Sequence, residues 1–252
     1  MRENISTERI LEKLDSYLHK NDYESARRHL IYWLAESKNA GDHRAEILIL
    51  NELMGLYRKL GRGEQALECV TEALDRIDTL GISEQVGAAT SFLNCATVYK
   101  AFGQPERSIL LFEKAKLIYE RELDKTDGRL AGLYNNMGLT LVDLGRFEEA
   151  YATYEKALDI LKESEGGELE MAITYLNMAS ACEAELGLVD ADEKIQSYMD
   201  KAEDLLERYT DRGGYYAFVC EKCASVFGYY GRFVYEGELL ERARRIYESE
   251  GN

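Results

Sequence analysis

Residues 133–161 read LYNNMGLTLVDLGRFEEAYATYEKALDIL and contain the clearest local indication of the fold. Small and apolar residues recur in steps of three and four on both sides of Gly145, at Tyr134, Met137, Gly138 and Leu141 and at Phe147, Ala150, Tyr154, Ala157 and Leu161. Such steps mark one face of an α-helix. Gly145 tolerates the positive φ that ends a helix and lets the chain reverse. The stretch therefore predicts a helix–turn–helix hairpin.

The same pattern recurs along the chain, in LGRGEQALECVTEAL (60–74), FGQPERSILLFEKAK (102–116), AELGLVDADEK (184–194) and YGRFVYEGELLERAR (230–244). The central glycines are spaced by 42, 42, 42 and 44 residues, at Gly61, Gly103, Gly145, Gly187 and Gly231. A fixed period of this length predicts stacked helical hairpins, each of which buries its apolar face against its neighbours.

The first and fifth repeats are the least regular, and each departs from the pattern at its turn. In the first hairpin Asn21 stands where the later copies have glycine. In the fifth repeat three extra residues separate Gly187 from Ala202, which predicts a longer turn or a later helix start.

With Pro105 as the one proline and no linker-like segment, we expect 1–252 to form a single domain of six hairpins. Their approximate bounds are 6–40, 44–80, 84–124, 127–165, 168–209 and 213–249.

The alternation of small and large residues around a mid-repeat glycine resembles the tetratricopeptide repeat family. The common form of that repeat has about 34 residues. The longer period here is similar to the repeats of kinesin light chains, most clearly in residues 133–161, and the resemblance extends over about 44–248. It implies an all-α, right-handed α–α superhelical solenoid in which the first helix of each hairpin lines a concave groove.

Composition argues against several classes of partner. The formal charge of −16 disfavours nucleic acid and anionic membrane surfaces, because both require a face rich in Lys and Arg. The start MRENISTERI has no apolar signal region. The sequence contains no run of about 18 apolar residues, so it predicts no membrane span. The five cysteines, an odd number without a secretion signal, indicate reduced thiols and predict a cytoplasmic protein.

No pattern of residues predicts catalysis. Phosphate-binding loops, dinucleotide fingerprints and nucleophile elbows are missing from the sequence. Cys220 and Cys223 form CEKC, which suits a redox pair or half a zinc site, but no second pair exists. Both cysteines fall on positions that are core in the other repeats, so we expect buried thiols. The sequence thus predicts neither an enzyme, nor a cofactor, nor a metal site.

Asparagines recur within one residue of the same position in four consecutive repeats, at Asn51, Asn94, Asn135, Asn136 and Asn177. An amide donates and accepts hydrogen bonds, which matches the alternating N–H and C=O groups of a peptide backbone. By resemblance to the family, these residues face the groove, together with Arg58, Thr97, Lys100 and Lys222. The alternative is that the asparagines cap turns or face water.

The last hairpin is rich in aromatic residues. Exposed aromatic surface at the end of a solenoid favours self-association, so a weak homodimer is predicted through Tyr229, Tyr230 and Phe233.

We therefore expect a non-enzymatic scaffold or adaptor that binds a protein or an extended peptide in its groove. The alternative is an intracellular sensor of a short signalling peptide that acts through a separate effector protein, as the resemblance to peptide-pheromone receptors with this repeat suggests.

Overall fold

Twelve α-helices account for most of residues 5–250, the part of the chain that the computed structural model describes. The chain divides into two compact units, residues 1–122 and 123–252. Unit 1 holds α1 (Thr7–Leu18), α2 (Tyr23–Ala40), α3 (His43–Lys59), α4 (Gly63–Thr79), α5 (Val86–Ala101) and α6 (Pro105–Glu122). Unit 2 holds α7 (Gly128–Asp143), α8 (Phe147–Lys162), α9 (Glu168–Leu186), α10 (Asp192–Arg208), α11 (Gly214–Tyr229) and α12 (Phe233–Glu250).

Consecutive helices pair as six hairpins, which confirms the prediction of an all-α fold made of repeated helix–turn–helix units. In unit 1, α5 packs against both helices of the preceding hairpin, α3 and α4. In unit 2, α9 packs in the same way against α7 and α8, and α11 packs against α9. The first helices α3 and α5 of unit 1, and α7, α9 and α11 of unit 2, therefore lie side by side. The prediction of one continuous domain over 1–252 stays a prediction.

The turn glycines end the first helix of the second to sixth hairpins, as the sequence predicts. Gly61 has φ +66° and Gly145 has φ +70°. The amide after each glycine donates to a carbonyl one turn back, Arg62 to Tyr57 and Arg146 to Leu141, both at 2.9 Å. Only a residue that accepts the left-handed conformation closes this turn without strain. In the first hairpin that residue is Asn21 with φ +53°, the one non-glycine with positive φ in residues 5–250.

The fifth hairpin departs from the others where the sequence predicts it. Residues 188–191 form a turn after Gly187, and α10 begins only at Asp192. In the fourth hairpin α8 begins at Phe147, directly after the glycine and one further residue. The extra residues thus lengthen the turn and leave the following helix regular.

Small residues at the crossing points let the paired helices approach closely. Ala150 and Ala157 of α8 are fully buried, and a Cβ at Gly138 of α7 would overlap the ring of Tyr154. The ring of Tyr154 fills the space above the glycine and is itself fully buried. Interiors pack this tightly because each void or overlap costs free energy.

Candidate functional site

Two asparagines and a serine link the first helices of neighbouring hairpins in unit 1. The Nδ2 of Asn51 on α3 donates to the Oγ of Ser91 on α5 at 2.9 Å. One turn along α5, the Nδ2 of Asn94 donates to the Oδ1 of Asn51 at 3.2 Å. Ser91 is buried, whereas both asparagines are half-buried. The three side chains form a bridge that fixes α3 against α5.

Unit 2 contains the same bridge with threonine in place of serine. The Nδ2 of Asn135 on α7 donates to the Oγ1 of Thr174 on α9 at 2.7 Å. The Nδ2 of Asn177 donates to the Oδ1 of Asn135 at 3.3 Å. Here the inner amide is buried, with Asn135 7% exposed, and Asn177 is half-buried. We call these two constellations the amide bridges.

The outer asparagine of each amide bridge keeps hydrogen-bonding capacity. Asn94 and Asn177 each donate one N–H to the inner asparagine. Among the hydrogen bonds of residues 5–250, none ends on the Oδ1 of either residue. One N–H and the carbonyl oxygen of each outer amide therefore have no side-chain or backbone partner within residues 5–250.

The remaining predicted groove residues do not join the amide bridges. The Nδ2 of Asn136 donates to the carbonyl of Gly132 in its own helix at 2.8 Å. Thr97 donates to the carbonyl of Asn94 at 2.8 Å. The other three, Arg58 in the last turn of α3, Lys100 in the last turn of α5 and Lys222 in α11, lie outside both bridges.

A cleft of about 610 Å³ opens beside the amide bridge of unit 1. Asn51 and Asn94 line it, and sequence reasoning missed most of its other walls. These are Arg44, Ile47, Leu48 and Glu52 of α3, Ile77 of α4, Ile82 and Gln85 of the next turn, and Gly87, Ala88, Thr90 and Ser91 of α5. The signal was present in the sequence, because the α3 residues recur in steps of three and four beside Asn51.

Glu52 occupies an unfavourable position for a carboxylate within this cleft. Burial raises the pKa of Glu52 above its ordinary value, and the nearby carboxylate of Asp15 on α1 raises it further. In residues 5–250, neither Glu52 nor Arg44 makes a hydrogen bond or an ion pair through its side chain. Two opposite charges on one face of α3 are thus left to solvent or to a bound molecule.

The cysteines are all buried, as predicted for CEKC. Cys220 and Cys223 of α11 are 0% and 1% exposed and belong to the core of unit 2. Burial raises the pKa of Cys223 to about 12 and likewise raises that of Cys95 to about 12, so these thiols stay protonated near neutral pH. Within the part of the chain that is described, no group of three His, Cys, Asp or Glu side chains has metal-binding geometry.

The three residues predicted for self-association differ in their surroundings. The hydroxyls of Tyr229 and Tyr230 donate to the two carboxylate oxygens of Glu183 at 2.6 and 2.8 Å. Phe233, the first residue of α12, is 70% exposed. Phe227 of the same hairpin lies fully in the core.

None of the helices in residues 5–250 combines the length and the apolar character needed to cross a bilayer.

The fold and the repeat together define a class of protein. The sequence profile of the tetratricopeptide repeat matches residues 45–121 and 129–189, more than half of the chain. The chain therefore belongs to the tetratricopeptide repeat family, as its sequence pattern predicts.

Individual relatives agree with the longer form of the repeat. Protein KINESIN LIGHT CHAIN-RELATED 1 of Arabidopsis thaliana is 28% identical over 137 residues, which cover 54% of this chain and 22% of that protein. This match confirms the resemblance to kinesin light chain repeats. The chain spans less than a quarter of the length of the curated relatives that it matches.

Two solved structures share the fold. The crystal structure of BtubC (BKLC) from P. vanneervenii matches with a TM-score of 0.68 and 22% identity, over 81% of this chain and 82% of that chain. The crystal structure of a Rap protein complexed with Competence and Sporulation Factor matches with a TM-score of 0.60 and 14% identity, over 96% and 64%. At these identities the similarity establishes the architecture alone.

Proposed function

We propose that this protein is a non-enzymatic scaffold or adaptor that binds an extended protein segment along the first helices of its hairpins. Tetratricopeptide repeat domains typically mediate protein binding and are usually non-catalytic. The observation that carries the proposal is the cleft of unit 1, whose wall contains the amide bridge of Asn51 and Asn94.

The amide bridge supports this proposal because it holds a binding group in place before a ligand arrives. Asn51 is fixed by its hydrogen bond to Ser91, and Asn94 is fixed in turn by Asn51. The free N–H and Oδ1 of Asn94 suit the C=O and N–H of one residue in an extended backbone. A group that is already ordered loses little entropy on binding, so its hydrogen bonds contribute more to affinity.

A capture experiment tests the proposal with variants that spare the inner amides. Asn94→Ala and Asn177→Ala together remove both outer amides and leave Asn51 and Asn135 with their hydroxyl partners. Partners captured by the parent chain are expected to be recovered at a fraction of the parent level by this double variant. Gln65→Ala is the matched control, because it removes an amide from the exposed surface of α4.

Two results would count against the scaffold proposal. One is equal recovery of every partner by the parent and by the double variant. The other is an equal loss with Gln65→Ala. Circular dichroism of each variant first establishes that the helices are intact.

A sensor of a short signalling peptide is the second candidate function. The fold similarity to the Rap protein complexed with Competence and Sporulation Factor favours it. Such a sensor acts through a separate effector protein, so peptide and effector binding would be coupled. An effector that binds equally well with and without the peptide would exclude this role.

Self-association through the last hairpin stays a prediction, as does a cytoplasmic location. Phe233 and Val234 are 70% and 79% exposed and supply the apolar surface that a homodimer would bury. A Tyr229/Tyr230/Phe233 triple alanine variant is expected to sediment at a lower mass than the parent. An unchanged mass would contradict the predicted dimer.

A further inference from the structure

The cleft of unit 1 has a charge at each end of one helical face. Arg44, Ile47, Leu48 and Glu52 of α3 all line it, with the apolar pair between the two charges. Arg44 and Glu52 are eight residues apart, which along a helix corresponds to about 12 Å. No ion pair joins the two side chains within residues 5–250, so each charge remains available to another molecule.

Neither charge is part of the repeat pattern. Two periods further along the chain, counted from Gly61 to Gly145, the equivalents of Arg44 and Glu52 are Gly128 and Asn136. Ala131 and Gly132 replace the apolar pair Ile47 and Leu48 there. The hairpin of unit 2 therefore forms with small and neutral residues at all four positions. The charges of α3 are not required by the fold.

Glu52 is also poorly placed to stabilise the free protein. It lacks a cationic partner in residues 5–250, and Asp15 is the charged group that acts on it most directly. A cation entering the cleft would meet the carboxylate of Glu52, which lines it. At the other end Arg44 offers a guanidinium that can bind a carboxylate through two parallel hydrogen bonds.

We infer that the cleft of unit 1 binds an extended peptide segment with an acidic, an apolar and a basic residue at alternate positions. Side chains at alternate positions of an extended chain point to the same side. Four residues of such a chain span about 13 Å, which matches the separation of Arg44 and Glu52 along α3. The acidic side chain pairs with Arg44, the apolar one contacts Ile47 and Leu48, and the basic one pairs with Glu52.

This inference rests on the proposed function and makes it specific. The amide bridge binds backbone and accepts any sequence, whereas the two charges and the apolar pair select the side chains. Either chain direction satisfies the charges, so both orders of the motif belong in the test.

Capped synthetic heptapeptides with a fluorescent label are the probes, and fluorescence anisotropy with the full chain is the measurement. One probe has Glu, Leu and Lys at its second, fourth and sixth positions, and a second has the reverse order. Serine fills the remaining positions. A third probe has the same composition with Glu and Lys adjacent. We expect one of the first two to bind about tenfold more tightly than the third, as loss of one charged hydrogen bond implies.

Charge exchange provides the decisive arm. Arg44→Glu should weaken the best probe about tenfold, and a probe with Lys in place of its Glu should recover the loss. Glu52→Lys should behave in the same way towards a probe with Glu in place of its Lys. Lys20→Glu and Glu64→Lys are the matched controls, because they make the same changes in net charge at exposed positions outside the cleft.

Three outcomes would overturn the inference. The first is equal affinity for all three probes, and the second is the absence of measurable binding by any of them. The third is loss of binding that the exchanged probes do not recover. If the peptides fail while the double variant at Asn94 and Asn177 still loses its captured partners, the scaffold proposal survives and only the side-chain motif is wrong.

Discussion

Hairpin α3–α4 of unit 1 and hairpin α7–α8 of unit 2 are the same repeat, two 42-residue periods apart from Gly61 to Gly145. They share the turn glycine with positive φ and the inner asparagine of an amide bridge, Asn51 in one and Asn135 in the other. They differ in the residues that fill the space around these features. The repeat therefore specifies the backbone and the bridge between hairpins, whereas the surrounding side chains differ from one repeat to the next.

Two pairs of positions show how different fillings satisfy one backbone. Glu46 is buried in α3 and accepts a hydrogen bond from Arg76 of α4 at 2.7 Å. The equivalent residues of unit 2 are Leu130 and Ile160. Likewise Met54 and Val70 of unit 1 are both buried, and their equivalents are Gly138 and Tyr154. Two aliphatic side chains of unit 2 thus replace the ion pair of unit 1. In the same way, one small and one large residue of unit 2 replace the two medium-sized residues of unit 1.

The ion pair between Glu46 and Arg76 is the difference between the two hairpins that should have the largest effect on stability. Arg76→Ala leaves the buried carboxylate of Glu46 with the Nδ1 of His43, at 3.2 Å, as its remaining side-chain partner. Losing one member of a fully buried pair costs about 3–5 kcal/mol, and because the Arg76 side chain is 26% exposed we expect the lower end of that range. We expect the urea concentration at the midpoint of unfolding to be well below that of the parent. The fluorescence of Trp33, the one tryptophan of the chain, reports this transition.

A double substitution completes this test. The variant with Glu46→Leu and Arg76→Ile copies unit 2 and should recover most of the stability, because well-packed aliphatic residues can replace a buried ion pair. A double variant as unstable as Arg76→Ala would show that the two hairpins are not interchangeable at this position.

The core pair should give the next largest effect. Gly138→Met places a side chain where the ring of Tyr154 already lies, and overpacking of this kind costs about 1–3 kcal/mol. Adding Tyr154→Val reproduces the Met54 and Val70 arrangement and should return part of the loss. Thermal unfolding followed by circular dichroism measures both steps. A double variant no more stable than Gly138→Met alone would exclude compensation between these positions.

The amide bridges should respond in proportion to their burial. Asn135→Ala removes the donor to Thr174 and the acceptor of Asn177 at a site 7% exposed, with an expected cost of about 1–3 kcal/mol. Asn51→Ala breaks the equivalent bonds at a half-buried site, where water replaces part of the loss, so about 0.5–1.5 kcal/mol is expected. The midpoints of urea unfolding measure both. Equal costs would show that burial does not distinguish the two bridges.

The smallest effect concerns Glu52 and depends on pH. Its folded-state pKa is raised above the ordinary value of 4.5, so its contribution to stability is full below that value and is lost as the pH rises through the folded pKa. Glu52→Gln should therefore raise the thermal midpoint at about pH 7 and lose this advantage below about pH 4. Glu64→Gln removes the same charge from an exposed position and serves as the control. A Glu52→Gln variant that is less stable at neutral pH would contradict the unfavourable placement.

Local sequence patterns are sufficient to predict the helices, their turns and their grouping into hairpins. Apolar steps of three and four define each helix locally, and Gly61 or Asn21 ends a helix because of its own backbone freedom. The same period brought the asparagines to equivalent positions and indicated a common role. These features depend on a few neighbouring residues, so a single chain suffices to read them.

The contacts of those asparagines depend on how the hairpins pack against each other. Ser91 and Thr174 lie about 40 residues from their amide partners along the chain, and the register between adjacent first helices pairs them. The cleft between Ile47 of α3 and Ile82 after α4 arises in the same way, as does the burial of Glu46 against Arg76. Long-range register results from packing many side chains at once, and no local pattern specifies it.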